Sequence, residues 1–328
     1  MPPMQPGTTR SGHATPAANA SIASDLIPAD VRARLRQLQL SSRQVTAARG
    51  YGMHHSQSRG AGMEFAQYRA YEPGDELRQV DWKLYARSDR FFVREAERDS
   101  PLTLWLLVDT SASMGQADGN RPRWSRLSAA KSLAACCIEV ALRQGDRFGV
   151  ASVGSDGMEI TPIGTGPRHR DRCLLALHRM TATGTLPEES RLRPLWEAFA
   201  AQDLVMLLSD CFDDRVVDLC TRLAAARREV LGLQLLTTEE RDFPFHGGHR
   251  FRDPETGDEI LSDGASIRDQ FLASFGAACE SLRSRFAASG IRHATYHLDE
   301  ALDTPLHRLF APRTASHAPF GEGTPLRP

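Results

Sequence analysis

Residues 104–115, LWLLVDTSASMG, drive an apolar run into a carboxylate at Asp109 and follow it with hydroxyls at Thr110, Ser111 and Ser113. Apolar runs that end in a plain turn close with Gly, Pro or Asn. A carboxylate with hydroxyls at alternate positions supplies oxygen donors instead. A second apolar run, LVMLLSD, ends at Asp210, and between the two lies ATGTLPEES, a Gly-Thr loop carrying Thr185. Thr181 and Thr183 lie close by in the same stretch. Carboxylates and hydroxyls together suit a hard divalent cation: Mg²⁺ takes oxygen ligands at about 2.0–2.1 Å in octahedral geometry and fills gaps with water. The expected ligand set is Asp109, Ser111, Ser113, Thr185 and Asp210, with Mg²⁺ as the ion and Mn²⁺ or Ca²⁺ as alternatives. The competing explanation is that the hydroxyls cap helices and Asp109 closes an Asx turn.

These residues must be held by strands. From residue 102 the pattern is rhythmic: strand LTLWLLVD, a helix from Arg126 to Arg143, then QGDRFGVASVG and GMEITPIG as two paired strands. Helices follow at Arg168–Met180 and Arg191–Phe199, then strand AQDLVMLLSD, helix DRVVDLCTRLAAARR and strand EVLGLQLLT. A polar hairpin, HRFRDPETGDEI, precedes a long helix through Phe271 to Phe286, and IRHATYHLD closes the set. Buried strands alternating with helices predict a doubly wound α/β domain with a mainly parallel sheet. Ligands of such sheets sit at the carboxyl ends of strands, where Asp109 and Asp210 fall.

Asp-x-Ser-x-Ser, a Thr in a Gly-Thr loop and an Asp closing a later apolar strand resemble the metal-ion-dependent adhesion site of von Willebrand factor A domains. The resemblance implies a Rossmann-like sheet with Mg²⁺ at its top, Ser111, Ser113 and Thr185 as hydroxyl ligands, and Asp109 and Asp210 acting directly or through water. Upstream, GAGMEFAQYRAYEPGDELRQVDWKLYARSDRFFVRE resembles the signature of the bacterial domain of unknown function 58 family. The matching residues are Gly62, Glu64, Phe65, Arg69, Tyr71, Pro73, Gly74, Asp75, Arg78, Asp81, Trp82, Ala86 and Arg87, and the likeness runs over residues 45 to 312. Many members of that family carry two membrane helices near the N-terminus, which are not seen here. Relatives are commonly encoded beside MoxR-type AAA+ ATPases, which implies such an ATPase as partner. Arg69, Tyr71, Asp75, Arg78, Asp81, Trp82 and Arg87 are the candidate partner-docking residues; an ion-pair network pinning the segment in place is the plainer alternative.

Composition narrows the classes. The 328 residues carry a net charge of −1, with 41% hydrophobic and 25% charged residues, which gives no global steering toward nucleic acid or an acidic surface. Residues 31 to 99 hold thirteen Lys or Arg against nine Asp or Glu, too small a surplus for a nucleic-acid site. Only Lys83 and Lys131 are lysines, and neither stands at a strand end as a phosphoryl-receiver site requires. A haloacid-dehalogenase site needs a second Asp where Ser111 stands. No G-x-x-x-x-G-K-[ST] or G-x-S-x-G occurs. His246 and His249 read as loop histidines.

The expectation is therefore a binding module, not an enzyme, whose metal receives a carboxylate from a protein partner. A Mg²⁺-dependent phosphate-ester hydrolase and a metal-independent interaction module are the alternatives. Six cysteines without a CxxC pair, and no secretory signal, lead us to expect reduced thiols and a cytoplasmic location. No apolar stretch approaches the ~20 residues of a membrane span. Residues 1–24 and 313–328 read as disordered tails, 25–100 as the family-signature segment packed on the main domain, and 101–312 as the von Willebrand A-like domain.

Overall fold

The computed structural model describes residues 25–42, 65–71, 80–96, 101–155 and 157–311; both expected tails lie outside them. Contacts divide the chain into two compact units, Met1–Thr46 with Leu102–Pro328 and Ala47–Pro101. The leading helix α1 (Ala29–Arg34), grouped with the signature segment above, thus belongs with the larger unit. Its Val31, and Leu35 just after its end, are buried in that unit's core. Arg143 donates to the Leu35 carbonyl at 2.9 Å, which also accepts from the Leu38 N–H at 3.1 Å, and to the Leu38 carbonyl at 2.5 Å. Arg34 reaches Asp303 at 2.8 Å.

In the smaller unit, β1 (Phe65–Ala70) pairs antiparallel with β2 (Phe92–Ala96), and α2 (Trp82–Ser88) lies between them in sequence. Asp81 caps α2, accepting from the backbone N–H groups of Lys83 at 2.9 Å and Leu84 at 3.0 Å. Tyr85 stacks on Phe91 with ring centroids 4.3 Å apart, and Trp82 and Tyr71 meet Phe91 at 6.3 and 6.1 Å. These elements went unforeseen because their aromatic and charged residues show neither a clear twofold nor a 3.6-residue period.

The larger unit is built on one six-stranded sheet. Its strands are β3 (Thr103–Asp109), β4 (Arg147–Gly154), β5 (Gly157–Gly164), β6 (Leu204–Ser209), β7 (Glu229–Leu236) and, beyond a separate hairpin of β8 (Gly248–Arg252) and β9 (Glu259–Asp263), β10 (Arg292–His297). The spatial order is β10-β7-β6-β3-β4-β5, parallel throughout except for β5 on β4. The helices are α3 (Arg126–Gln144), α4 (Gly166–Arg179), α5 (Arg193–Ala198), α6 (Asp214–Ala225), α7 (Thr238–Asp242), α8 (Gly264–Ala288) and α9 (Asp303–Phe310). The doubly wound, mainly parallel α/β fold expected from the sequence is the fold observed.

Both faces of the central strands are covered, which is why their sequences are unbroken apolar runs. Leu104, Leu106 and Val108 of β3 pack with Ala130, Leu133 and Cys137 of α3. The alternate residues Trp105 and Leu107 pack on the other face with Phe199, Val216 and Phe286. Each fully buried Leu or Val contributes about 1.5–3 kcal/mol relative to exposure. Five cysteines are buried in this core, and all six are free thiols.

At the β10 edge, His293 lies against Phe286 with ring centroids 5.4 Å apart, and its buried Nε2 has no partner among the described residues. Burial, then the charge of Arg283, hold its pKa down at about 4. The unfolded chain takes up a proton near pH 6.5 while the native state does not, so stability is complete above that pH and is lost as pH falls toward 4. His293 should account for about 2 kcal/mol of acid loss. Denaturant unfolding of wild type and His293→Leu at pH 7 and pH 4.5 checks it: the variant should lose less on acidification. Equal losses would assign the acid sensitivity elsewhere.

Candidate metal centre

β3 delivers Asp109 to the carboxyl edge of the sheet, and its parallel neighbour β6 delivers Ser209 and then Asp210. The chain winds from β3 toward β4 on one side and resumes at β6 on the other. Here the strand order reverses, which in open α/β sheets is where ligands bind.

After Asp109 the backbone turns at once. The Ser111 N–H donates to Asp109 Oδ1 at 2.9 Å, and Ala112–Gly115 form one 3-10 turn. That turn brings the Ser111 and Ser113 hydroxyls to 3.0 Å from each other. The Ser209 hydroxyl donates to Asp109 Oδ2 at 2.6 Å, tying the ends of β3 and β6 together. All five of these side chains, Asp210 included, are buried.

The Gly-Thr loop docks on this turn through its backbone. The Thr183 N–H donates to the Thr110 carbonyl at 2.9 Å, and the Ala112 N–H to the Gly184 carbonyl at 2.8 Å. Gly184 has φ +58°, and a Cβ there would stand 2.3 Å from the Ser155 side chain, so the close approach requires glycine. Thr185 follows directly and is exposed at the rim. Thr183 is the loop threonine that approaches Ser155, hydroxyl to hydroxyl at 3.4 Å.

One residue that the sequence did not single out dominates the electrostatics. Arg126, the first residue of α3, is 0% exposed. Its Nη1 donates to the Ser113 carbonyl at 2.9 Å and to Asp210 Oδ2 at 3.1 Å, and its Nη2 pairs with Glu240. Phe212 covers the guanidinium at 5.1 Å. Glu240 also completes a capping box with Thr237 at the start of α7. Burial, then the charge of Asp210, push the Asp109 carboxyl up to about 6, against the opposing pull of its hydrogen bonds with Ser209 and Ser111.

Asp210 and Glu240 thus share one guanidinium while Asp109 stands close to Asp210, which leaves negative charge in excess at an edge lined with hydroxyls. That donor set fits a hard divalent cation. Among the described residues no three His, Cys, Asp or Glu side chains gather into a metal-binding group. Two carboxylates completed by hydroxyls and water are Mg²⁺-like chemistry, not the nitrogen and sulfur set of zinc. Asp109, Ser111, Ser113 and Asp210 would hold the ion.

Of the candidate partner-docking residues, Arg69 stands in β1 opposite Val93, Asp81 caps α2, Tyr71 and Trp82 belong to the aromatic cluster, and Arg87 is exposed. Asp75 and Arg78 lie outside the described residues.

The chain is similar to the structure of an aerotolerance-related membrane protein from Bacteroides fragilis, at 14% identity over 63% of this chain and 96% of that one, with a TM-score of 0.41. It is also similar to the SpRpn10 VWA domain, at 11% identity over 63% and 94%, with a TM-score of 0.37. The cytoplasmic location expected from the sequence is corrected here, because the Bacteroides fragilis structure is that of a membrane protein. Among the described residues no helix is long and apolar enough to cross a membrane, and that fact assigns no compartment. In sequence, the chain is 28% identical to Uncharacterized protein Rv1480 of Mycobacterium tuberculosis over 265 residues, 77% of this chain and 80% of that protein. The model of the family described as Protein of unknown function DUF58 matches residues 67–280, from within the signature segment through most of the sheet. Over that span, signature and sheet together, the chain belongs to the DUF58 family.

Proposed function

We propose that the chain is a metal-dependent protein-binding module, in which Mg²⁺ at the β3–β6 edge accepts a carboxylate from a partner. The reading is carried by one observation: Asp109, Ser111, Ser113 and Asp210 meet at the strand-order reversal with more negative charge than Arg126 balances. Two carboxylates and neutral hydroxyls leave a divalent ion electrophilic, so a partner's Asp or Glu completes it. The family resemblance suggests a MoxR-type AAA+ ATPase as the partner, with complex assembly or chaperoning as the task.

A second reading is favoured by Arg126 itself. An internal guanidinium already pairs with Asp210 and Glu240, which suits a module that binds without metal and uses the signature segment as its surface.

Co-purification of the tagged full chain with a purified MoxR-type ATPase separates the two. Capture in Mg²⁺ should drop at least about tenfold in EDTA and in Asp109→Ala, consistent with loss of a charged metal ligand. Capture unchanged by both treatments but lost in Arg87→Ala would overturn the metal reading in favour of the second.

A further inference from the structure

An apolar cleft runs into the sheet from the residue that begins the metal centre. Side chains alternate along a strand, so Asp109 shares one face of β3 with Trp105 and Leu107. Leu104, Leu106 and Val108 pack on the other face, under α3. Leu107 pairs with Leu207 of β6, and Asp109 with Val153 of β4. Together these four line a cleft of about 330 Å³, whose opposite wall is Val216 and Leu219 of α6. A second cleft, of about 410 Å³, shares Leu219 and Arg215 with the first and continues it to Trp196.

The walls are pinned. Arg215 Nη1 donates to the Leu186 carbonyl at 3.0 Å, and its Nε donates to Asp213 at 3.0 and 3.1 Å. Asp213 in turn caps α6 through the Arg215 N–H at 2.8 Å. The stretch that follows Thr185 is thereby tied to the start of the helix. Asp109 and Arg215 are the charged residues that line the first cleft, and the rest of its lining is apolar. Both already have partners: Asp109 has the Ser111 N–H and the Ser209 hydroxyl, and Arg215 has Asp213. A polar group entering the cleft would lose water without gaining a partner, whereas an aliphatic group gains by burial.

We propose that this cleft is the specificity pocket of the metal centre, and that it takes an aliphatic side chain adjoining the partner carboxylate that reaches the ion. The proposal rests on the metal-dependent reading above. A carboxylate bound to an ion at Asp109 brings its neighbour in the chain to the cleft that Asp109 lines. The partner segment is therefore an acidic residue beside a leucine-like one, not a run of acidic residues.

Blocked tetrapeptides titrated into the full chain in Mg²⁺ test the pocket by calorimetry. The probes are acetyl-Gly-Glu-Leu-Gly-amide, the same peptide with Glu and Leu exchanged, a counterpart with Gly for Leu, and a counterpart with Gln for Glu. The better Leu peptide should bind about tenfold more tightly than the Gly peptide, as burial of a leucine side chain predicts. EDTA should abolish binding, and the Gln peptide should not bind. Val216→Leu, which fills the cleft from within, should bring the Leu peptides down to the Gly peptide and leave the Gly peptide unchanged. Urea unfolding checks that this variant is folded, and the comparison of peptides on wild type stands without it. Equal affinities for Leu and Gly peptides, both lost in EDTA, would overturn the pocket and leave the metal-dependent reading standing. If no peptide binds, or binding ignores both EDTA and the change of Glu to Gln, both fall.

Discussion

Arg126→Met should destabilise the metal-free protein by about 3–5 kcal/mol, because it leaves the buried Asp210 and the half-buried Glu240 with no counter-charge. Arg126 is fully buried, and its guanidinium touches Asp210, Glu240 and the Ser113 carbonyl. Methionine fills much of the same space, so the loss reports charge and hydrogen bonding more than volume. Urea unfolding in Mg²⁺-free buffer measures it. The double variant Arg126→Met/Glu240→Gln should lose less than the single one, since a charge left unpaired is removed with its partner. A single-variant loss below about 1 kcal/mol would mean that the carboxylates do not depend on the guanidinium. Saturating Mg²⁺ should return part of the lost stability, because an ion that binds only the native state stabilises it by mass action.

Asp109→Ala should weaken Mg²⁺ binding by at least about 100-fold, and Ser113→Ala by about tenfold or less. Water can replace a neutral hydroxyl at the ion, but nothing replaces a lost negative charge. The Asp109 variant should remain folded: its carboxyl is buried beside Asp210, which makes its charged form unfavourable without a cation. Calorimetric titration of both variants and wild type decides the order. Equal losses, or a larger loss for Ser113→Ala, would place the weight of the site on the hydroxyls.

The fold was legible where burial left the sequence one option. LTLWLLVD and LVMLLSD are apolar at every inward position on both faces, and each ends in Asp where the strand leaves the sheet. The α3 helix was legible for the same reason, from its 3.6-residue apolar period. The Asp and Ser candidates therefore stand where the strand pattern put them. Thr185 is less simply placed, because the Gly-Thr loop docks through the Gly184 carbonyl and leaves the threonine exposed at the rim. Arg126 could not be read, because an arginine at the start of a helix is ordinarily solvated and only the tertiary fold brings Asp210 and Glu240 to it. Ser209 was in plain view inside LLSD, and its bond to Asp109 needed the pairing of β3 and β6 to be known.

The bond between Arg34 and Asp303 spans 269 positions, and its consequence is one of timing. Chains are synthesised at about 5–20 residues per second, so α1 waits tens of seconds for the residue that secures it. Arg143 arrives much sooner and can hold the carbonyls of Leu35 and Leu38 in the interval. Contacts of such long range slow folding, since the loop must close before the contact is made. The Arg34–Asp303 bond can therefore form only after β3 to β10 have all been synthesised.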